Sequence, residues 1–275
     1  MANKLVNQIN DYQANGMAVG TELLNFIGQH TPFINWLKAH SIYSPFLENQ
    51  NLIIEALTHS SFRHENKDWP ARDNERLEFL GDAVLDAEIS KRLFNEYSHF
   101  SEGKLSRLRS ALVNEEVLAR WACILKVDQF IMLGKGEAGK SEVGQAILAD
   151  AFEALVGALY LIDEQSLGSI IDKWIEIFDQ SKLSSKPFFC ETRLDDFDPK
   201  TRLQEICLEN FKKVAHYETS VKDESAQEIV FCAKVFCGDE ILGSGEGSNK
   251  KKAQSSAAKA GLQSQFIKKL LNNDQ

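Results

Sequence analysis

A chain of 275 residues is long enough for one or two domains with real hydrophobic cores, so it excludes a mini-protein held by disulfide or metal staples. A composition of 43% apolar and 26% charged residues, with 16 glycines and 5 prolines, is that of a globular protein and excludes collagen-like and low-complexity classes. The net charge of -9 argues against a nucleic-acid partner only until its distribution is read: 12 basic and 11 acidic residues lie from Asp198 onward, against 19 and 29 before it.

In chain order, residues 1–30 are polar and weakly patterned, broken by Gly16, Gly20 and Gly28, and read as a loosely attached extension without an assigned role. The opening MANKLVNQINDY lacks the apolar run and cleavage site of a signal peptide. No apolar run approaches 18 residues, so neither secretion nor a membrane partner is expected. Cys123, Cys190, Cys207, Cys232 and Cys237 show no C-x-x-C spacing and read as reduced, mostly buried thiols, which points to a cytoplasmic location.

From residue 32 to about 179 the apolar spacing is helical, as in Leu52, Ile53, Leu57 and again in Leu77, Leu80, Val84, which predicts an all-α domain over 31–182. The run NERLEFLGDAVLDAEISKRLF, residues 74–94, is a strong helix with Asn74 as its expected N-cap. Glu75, Glu78 and Asp82 stand at i, i+3 and i+7, within a stripe of about 60°. Periodicity alone favours an ordinary solvated face. Against that, the three like charges repel and no lysine or arginine interleaves them, so a cation would resolve the conflict. A second helix, ILADAFEALVGALYLI over 147–162, places Asp150 and Glu153 in an otherwise apolar sequence. A carboxylate in such surroundings must be neutralised, paired or metal-bound, and hard oxygen donors without histidine or cysteine select Mg²⁺ or Mn²⁺ over zinc. If the two helices face each other, four or five acids converge, which suits metal-assisted phosphoryl transfer. Asp86, one turn past Asp82, reads as a solvated helix residue.

The segment SKLSSKPFFCETRLDDFDPK, 181–200, has a linker composition and predicts a connection over 183–197. Beyond it come a helix over 201–211, strand-like runs at 215–221, 229–236 and 240–243, a Gly-Ser turn, and a Lys/Ala-rich helix from Lys250. This is an α-β-β-β-α module spanning 198–268. Lys250, Lys251 and Lys252 open the last helix, where their charges and the free backbone N–H groups both favour phosphates. Ala253, Ala257 and Ala258 give that helix a smooth packing face.

NERLEFLGDAVLD together with LADAFEALVGALY, flanked by ALTHSSF (56–62) and EGKLSRLRSALV (102–113), resembles the bacterial-type ribonuclease III domain. DPKTRLQEI followed by three strands and GSGEGSNKKKAQSSAAKAGL resembles a double-stranded RNA-binding domain, so the resemblance covers about residues 36–270. It implies an all-α endonuclease domain followed by a small α+β RNA-binding domain, in a homodimer that cuts double-stranded RNA with Mg²⁺ and leaves 5'-phosphate and 3'-hydroxyl ends. Carried over, Glu78, Asp82, Asp150 and Glu153 are the metal ligands, with Asp82 and Glu153 the most critical for hydrolysis, and Glu75, counted with them as catalytic, lies at the dimer-side edge of the acidic valley, contacting metal-bound water or supporting the interface. Thr201, Gln204 and Glu205 match positions that reach the minor groove, where 2'-hydroxyls mark RNA, although an exposed helix would look the same. His59 is taken as structural. The chain departs from the family in the loop GKGEAGKSEVGQA, where Val143, Gly144 and Ala146 stand in place of arginines and a capping serine. Lys135 and Lys140 either compensate there or are merely solvated. Leu208 replaces a polar residue, Asn249 replaces a serine, and the loop VKDESAQE (221–228) lacks the family's histidine, which predicts altered minor-groove contact.

Two other functions stay open from the residues: a non-cutting double-stranded RNA-binding protein that masks duplexes, and a dimeric interaction protein whose acidic stripe is only surface. The last predicts no response to divalent metal.

Overall fold

A computed structural model describes residues 30–181, 186–223, 229–265 and 267. Residues 1–29 of the predicted extension and 224–228 of the predicted loop lie outside the described residues. The chain divides into two compact units between Phe189 and Cys190.

The first unit is helical: α1 Thr31–Ala39, α2 Tyr43–Glu48, α3 Gln50–Ala56, α4 Ser60–Glu65, α5 Glu75–Glu96, α6 Glu102–Leu112, α7 Glu115–Ile124, α8 Lys135–Ala138, α9 Gln145–Ile162 and α10 Glu164–Gln180. Its axis is α9, whose length and mean hydropathy of 1.6 would suffice to cross a membrane. Here that apolarity has another cause. The helix is the core element, with residues from Leu148 to Leu159 buried on all sides except at Asp150 and Glu153. It packs against α5, α7 and α3. Side-chain caps fix where its neighbours begin: Ser101 starts α6, Asn114 starts α7, and Asp163 Oδ1 accepts from Gln165 N and Ser166 N at the start of α10.

Asn74 departs from its expected role. It already has helical backbone angles (φ -81°, ψ -9°), and its side chain caps nothing. The buried residue instead donates its backbone N–H to Thr58 O at 2.9 Å, tying the start of α5 to the segment before α4. The buried seam of α5 also differs from the predicted one. Leu77, Gly81, Leu85, Ile89 and Leu93 form it at strict four-residue spacing, and Leu80 and Val84 flank it half-buried. Gly81 explains the shift, because a Cβ there would collide with the carbonyl of Glu153. Gly157 meets the Leu77 carbonyl in the same way, so two missing side chains bring α5 and α9 backbone to backbone.

Part of the span predicted as linker is packed. Phe188 is buried in an aromatic cluster with Trp121 and Phe178, at ring-centroid distances of 5.0 and 5.4 Å. Residues Arg193–Phe197 form a short helix, α11, whose Leu194 is buried in the second unit. Composition concealed both anchors, since the prolines, serines and acids of the segment outnumber its apolar residues.

The second unit continues with α12 Pro199–Phe211, β1 Ala215–Asp223, β2 Val230–Cys237, β3 Glu240–Gly247 and α13 Lys250–Leu262. The strands form one antiparallel sheet in the order β1-β2-β3. Helix α12 starts two residues earlier than predicted, because Asp198 caps it and Pro199 takes the first turn. Strand β3 runs four residues past its predicted end, through the predicted Gly-Ser turn. Gly243, Gly245 and Gly247 alternate along it, and a Cβ on any of them would strike the α13 backbone at Gly261, Ala257 or Ala253. Glycines in a strand here mark close backbone approach rather than a turn. Ala253, Ala257 and Ala258 are buried against that face as predicted, with Leu203, Ile206, Val235 and Leu242. Cysteine burial is less than expected: all five thiols are free, but only Cys207 and Cys237 are buried.

Candidate active site and RNA-binding surface

The close α5–α9 crossing decides which acids meet. Glu78 lies one turn into α5, three residues before Gly81, and Asp150 and Glu153 lie on the buried helix α9. One carboxylate oxygen from each of these three residues falls within 4.8 Å of the others. Asp82 and Glu75 stay exposed beside this cluster. Both act on it through their charge: Asp82 heads the neighbours that hinder ionisation of Glu153, and Glu75 acts likewise on Glu78 and Asp150.

The electrostatics follow from packing carboxylates together without cations. Burial first, and then Asp82, Asp150, Glu78 and Asp86, push the Glu153 carboxyl up to about 8. Burial and the neighbouring acids also raise Glu78. Asp150 is raised by burial, Glu115 and Glu75, whereas His59 works the other way. Asp86 is not the solvated residue expected: it is half-buried, sits 3.6 Å from Arg109, and adds to the repulsion that disfavours ionisation of Glu153.

Such a donor set fits a hard divalent cation. Three clustered carboxylates, one holding its proton to about pH 8 for want of a counter-charge, are what oxygen-seeking Mg²⁺ or Mn²⁺ stabilises, and the cluster contains neither histidine nor cysteine.

Sequence reasoning missed Glu115, whereas His59 is structural as expected, its Nδ1 accepting from Ser61 N to cap α4. Glu115 opens α7 in an unremarkable first turn, so only the fold reveals that its charge reaches Asp150. In the loop before α9, Gly144 occupies the N-cap with no side-chain hydrogen bond, as the missing serine predicted. Lys140 is paired with Glu137 at 2.6 Å, and the Lys135 backbone N–H donates to Glu65.

The sequence profile described as "Ribonuclease-III-like" matches residues 49–175, and "Double-stranded RNA binding motif" matches residues 199–265. "Ribonuclease 3" of Enterococcus faecalis is 37% identical over 223 residues, covering 81% of this chain and 94% of that protein. The chain belongs to the ribonuclease III family. "Ribonuclease 3" of Anoxybacillus flavithermus is 33% identical over 241 residues, 86% of this chain and 96% of that one. The crystal structure of the nuclease domain of ribonuclease III from Campylobacter jejuni is similar at 37% identity and a TM-score of 0.47, covering 54% of this chain and 97% of that one. This ribonuclease III is an endoribonuclease of double-stranded RNA, with a helical nuclease domain and a C-terminal RNA-binding domain. Its family is metal-dependent, and its acidic cluster has the matching donor chemistry.

On the RNA-binding domain of the ribonuclease, Lys250, Lys251 and Lys252 are exposed at the first turn of α13. Asn249, the departure from the family's serine, still caps that helix: its Oδ1 accepts from Lys252 N at 2.8 Å. Thr201 and Glu205 are half-buried on α12. Gln204 has a job inside the fold, since its Oε1 accepts from Ala215 N at 3.1 Å and anchors the start of β1. Leu208 is exposed, with no polar group to offer RNA.

Proposed function

We propose that this ribonuclease III hydrolyses phosphodiester bonds of duplex RNA at the Glu78, Asp150, Glu153 cluster with Asp82 beside it, leaving 5'-phosphate and 3'-hydroxyl ends. The observation that carries this is the meeting of three carboxylates where two helices touch through Gly81 and Gly157. Glu78, Asp82, Asp150 and Glu153 would hold Mg²⁺, with Mn²⁺ as substitute. A divalent ion held there would lower the pKa of a water so that it can lose a proton and attack phosphorus, and would supply a counter-charge for the leaving oxygen. Glu153 would give up its proton when the cation is held, and Asp82, exposed beside it, completes the negative rim. Glu75 borders the rim.

In this reading residues 31–182 are the catalytic domain, 183–197 the connection and 198–268 the RNA-binding domain. Lys250, Lys251 and Lys252 contact phosphates, and Thr201, Gln204 and Glu205 lie toward the minor groove. Two nuclease domains pair as a homodimer. Phe79 and Phe94 support this: they are 81% and 71% exposed, about 60° apart around α5, the helix that also carries Glu78 and Asp82. The five free thiols support a cytoplasmic location.

The test is cleavage of a long, perfectly paired RNA in Mg²⁺ and in chelator, alongside Glu153→Gln, with RNA binding scored in parallel. Metal-dependent cutting that Glu153→Gln abolishes while binding persists is expected. Binding without cutting in either metal would overturn the reading in favour of a duplex-masking protein.

A further inference from the structure

Lys200, in the first turn of α12, is half-buried and takes part in no ion pair among the described residues. Its Nζ instead donates to Gln254 Oε1 at 2.7 Å and lies 4.8 Å from the centroid of the Tyr217 ring. Gln254 Nε2 in turn donates to Thr219 Oγ1 at 3.1 Å. Chemistry dictates this order: an ammonium only donates, so the amide must turn its oxygen to Lys200 and its NH₂ to the hydroxyl on β1. One chain of half-buried side chains thus joins α12, α13 and β1.

None of these contacts neutralises the charge. A carboxamide oxygen and an aromatic face stabilise a cation but carry no net negative charge, and a single hydrogen bond leaves donors of the ammonium unspent. Gln254 stands four residues after Lys250 and three after Lys251, so the three share one face of α13. The Lys200 ammonium is therefore brought beside a face that already carries two exposed cations, an arrangement of like charges that an anion would relieve. A mere clamp between two helices needs no charge, since any neutral donor would serve Gln254 equally.

We infer that Lys200 is a further phosphate contact for duplex RNA, with Gln254 the positioning residue that holds its ammonium beside Lys250 and Lys251. The inference deepens the reading that Lys250, Lys251 and Lys252 contact phosphates, and it rests on that reading. It extends the phosphate-binding surface from one helix to two. A lysine held by Gln254 also loses less side-chain freedom when RNA arrives than one that extends freely into water.

The test measures binding of the full chain to long, perfectly paired RNA over a range of salt concentrations, in chelator so that nothing is cut. Lys200→Gln removes the charge and keeps a donor for Gln254, whereas Lys200→Arg keeps the charge. Lys200→Gln is expected to weaken binding to all duplexes alike and to lower the slope of log affinity against log salt by about 1, and Lys200→Arg to preserve the slope. Gln254→Leu leaves every charge in place, so a weaker affinity there reports the loss of positioning. That loss should vanish when Gln254→Leu is combined with Lys200→Gln, because the two act through one contact. An unchanged salt slope in Lys200→Gln, beside a reduced one when Lys250, Lys251 and Lys252 are replaced by glutamine, would leave Lys200 a structural clamp and overturn the inference. Fully additive losses in the double variant would overturn the part given to Gln254. If Lys200→Gln fails to fold, Gln254→Leu decides alone, and an affinity equal to the parent's overturns the inference. A slope unchanged even in the triple lysine variant would instead sink the reading of α13 as the RNA-binding face.

Discussion

Glu153 holds its proton against four neighbouring acids, and that has a consequence for the fold as well as for the chemistry. Its ordinary value of 4.5 applies in the unfolded chain, whereas the folded protein holds the proton to about 8. Between those limits the unfolded chain releases a proton that the folded chain keeps, so the metal-free protein loses stability as pH rises from about 4.5 to about 8. Glu78 and Asp150, both raised by burial, act with the same sign. The melting temperature of metal-free protein is therefore expected to fall across that window, and Glu153→Gln to flatten the fall. Mg²⁺ should restore the loss most strongly near the upper end of the window, and a melting temperature independent of both pH and Mg²⁺ would contradict the assignment. The acids themselves were legible in sequence because carboxylates inside an apolar helix need a reason. Glu115 was not, since an acid in a first turn is what any helix carries. Neither was the hydrogen bond that Ser61 Oγ accepts from the amide of Gly134, 73 residues further along.

At the level of elements, the site depends on a helix crossing with no side chain between the two backbones. Gly81→Ala would place a methyl group against the Glu153 carbonyl, and the helices must part to admit it. Such overpacking costs about 1–3 kcal/mol, which urea unfolding would register, and it would also separate Glu78 from Glu153. The expected outcome is a folded, less stable protein whose Mg²⁺ requirement rises sharply. Full activity in Gly81→Ala would show that the close crossing is not what assembles the site. The periodicity of α5 revealed the helix but not its seam, because a glycine scores as no side chain in a hydrophobic pattern and here it is the contact. The same blindness turned the end of β3 into a predicted turn. Asn74 failed as a predicted cap because the residue type suited capping while its backbone is already helical, not the extended conformation from which a side chain caps.

For the whole molecule, the division of labour between the acidic nuclease domain and the lysine-bearing domain makes binding and cutting respond to different variables. Replacing Lys250, Lys251 and Lys252 by glutamine should weaken duplex RNA binding for all sequences alike. It should also lower the slope of log affinity against log salt by about 1 for each phosphate that is no longer neutralised. Cleavage at saturating RNA should change little, and an unchanged salt slope would remove these lysines from the interface. The order of the two domains was readable from the charge split and the change of periodicity, while Phe188 and Leu194 escaped notice within a polar, proline-bearing segment. The glycines of β3 have a last consequence. Gly243, Gly245 and Gly247 each face one point of the α13 backbone, at Gly261, Ala257 and Ala253, so helix and strand mesh at a fixed pitch. The contact works as a ratchet with a single permitted tooth, and the compass bearing of the three lysines is thereby set by the hydrogen atoms of three glycines on the facing strand, the nearest of them against Ala253, one residue beyond Lys252.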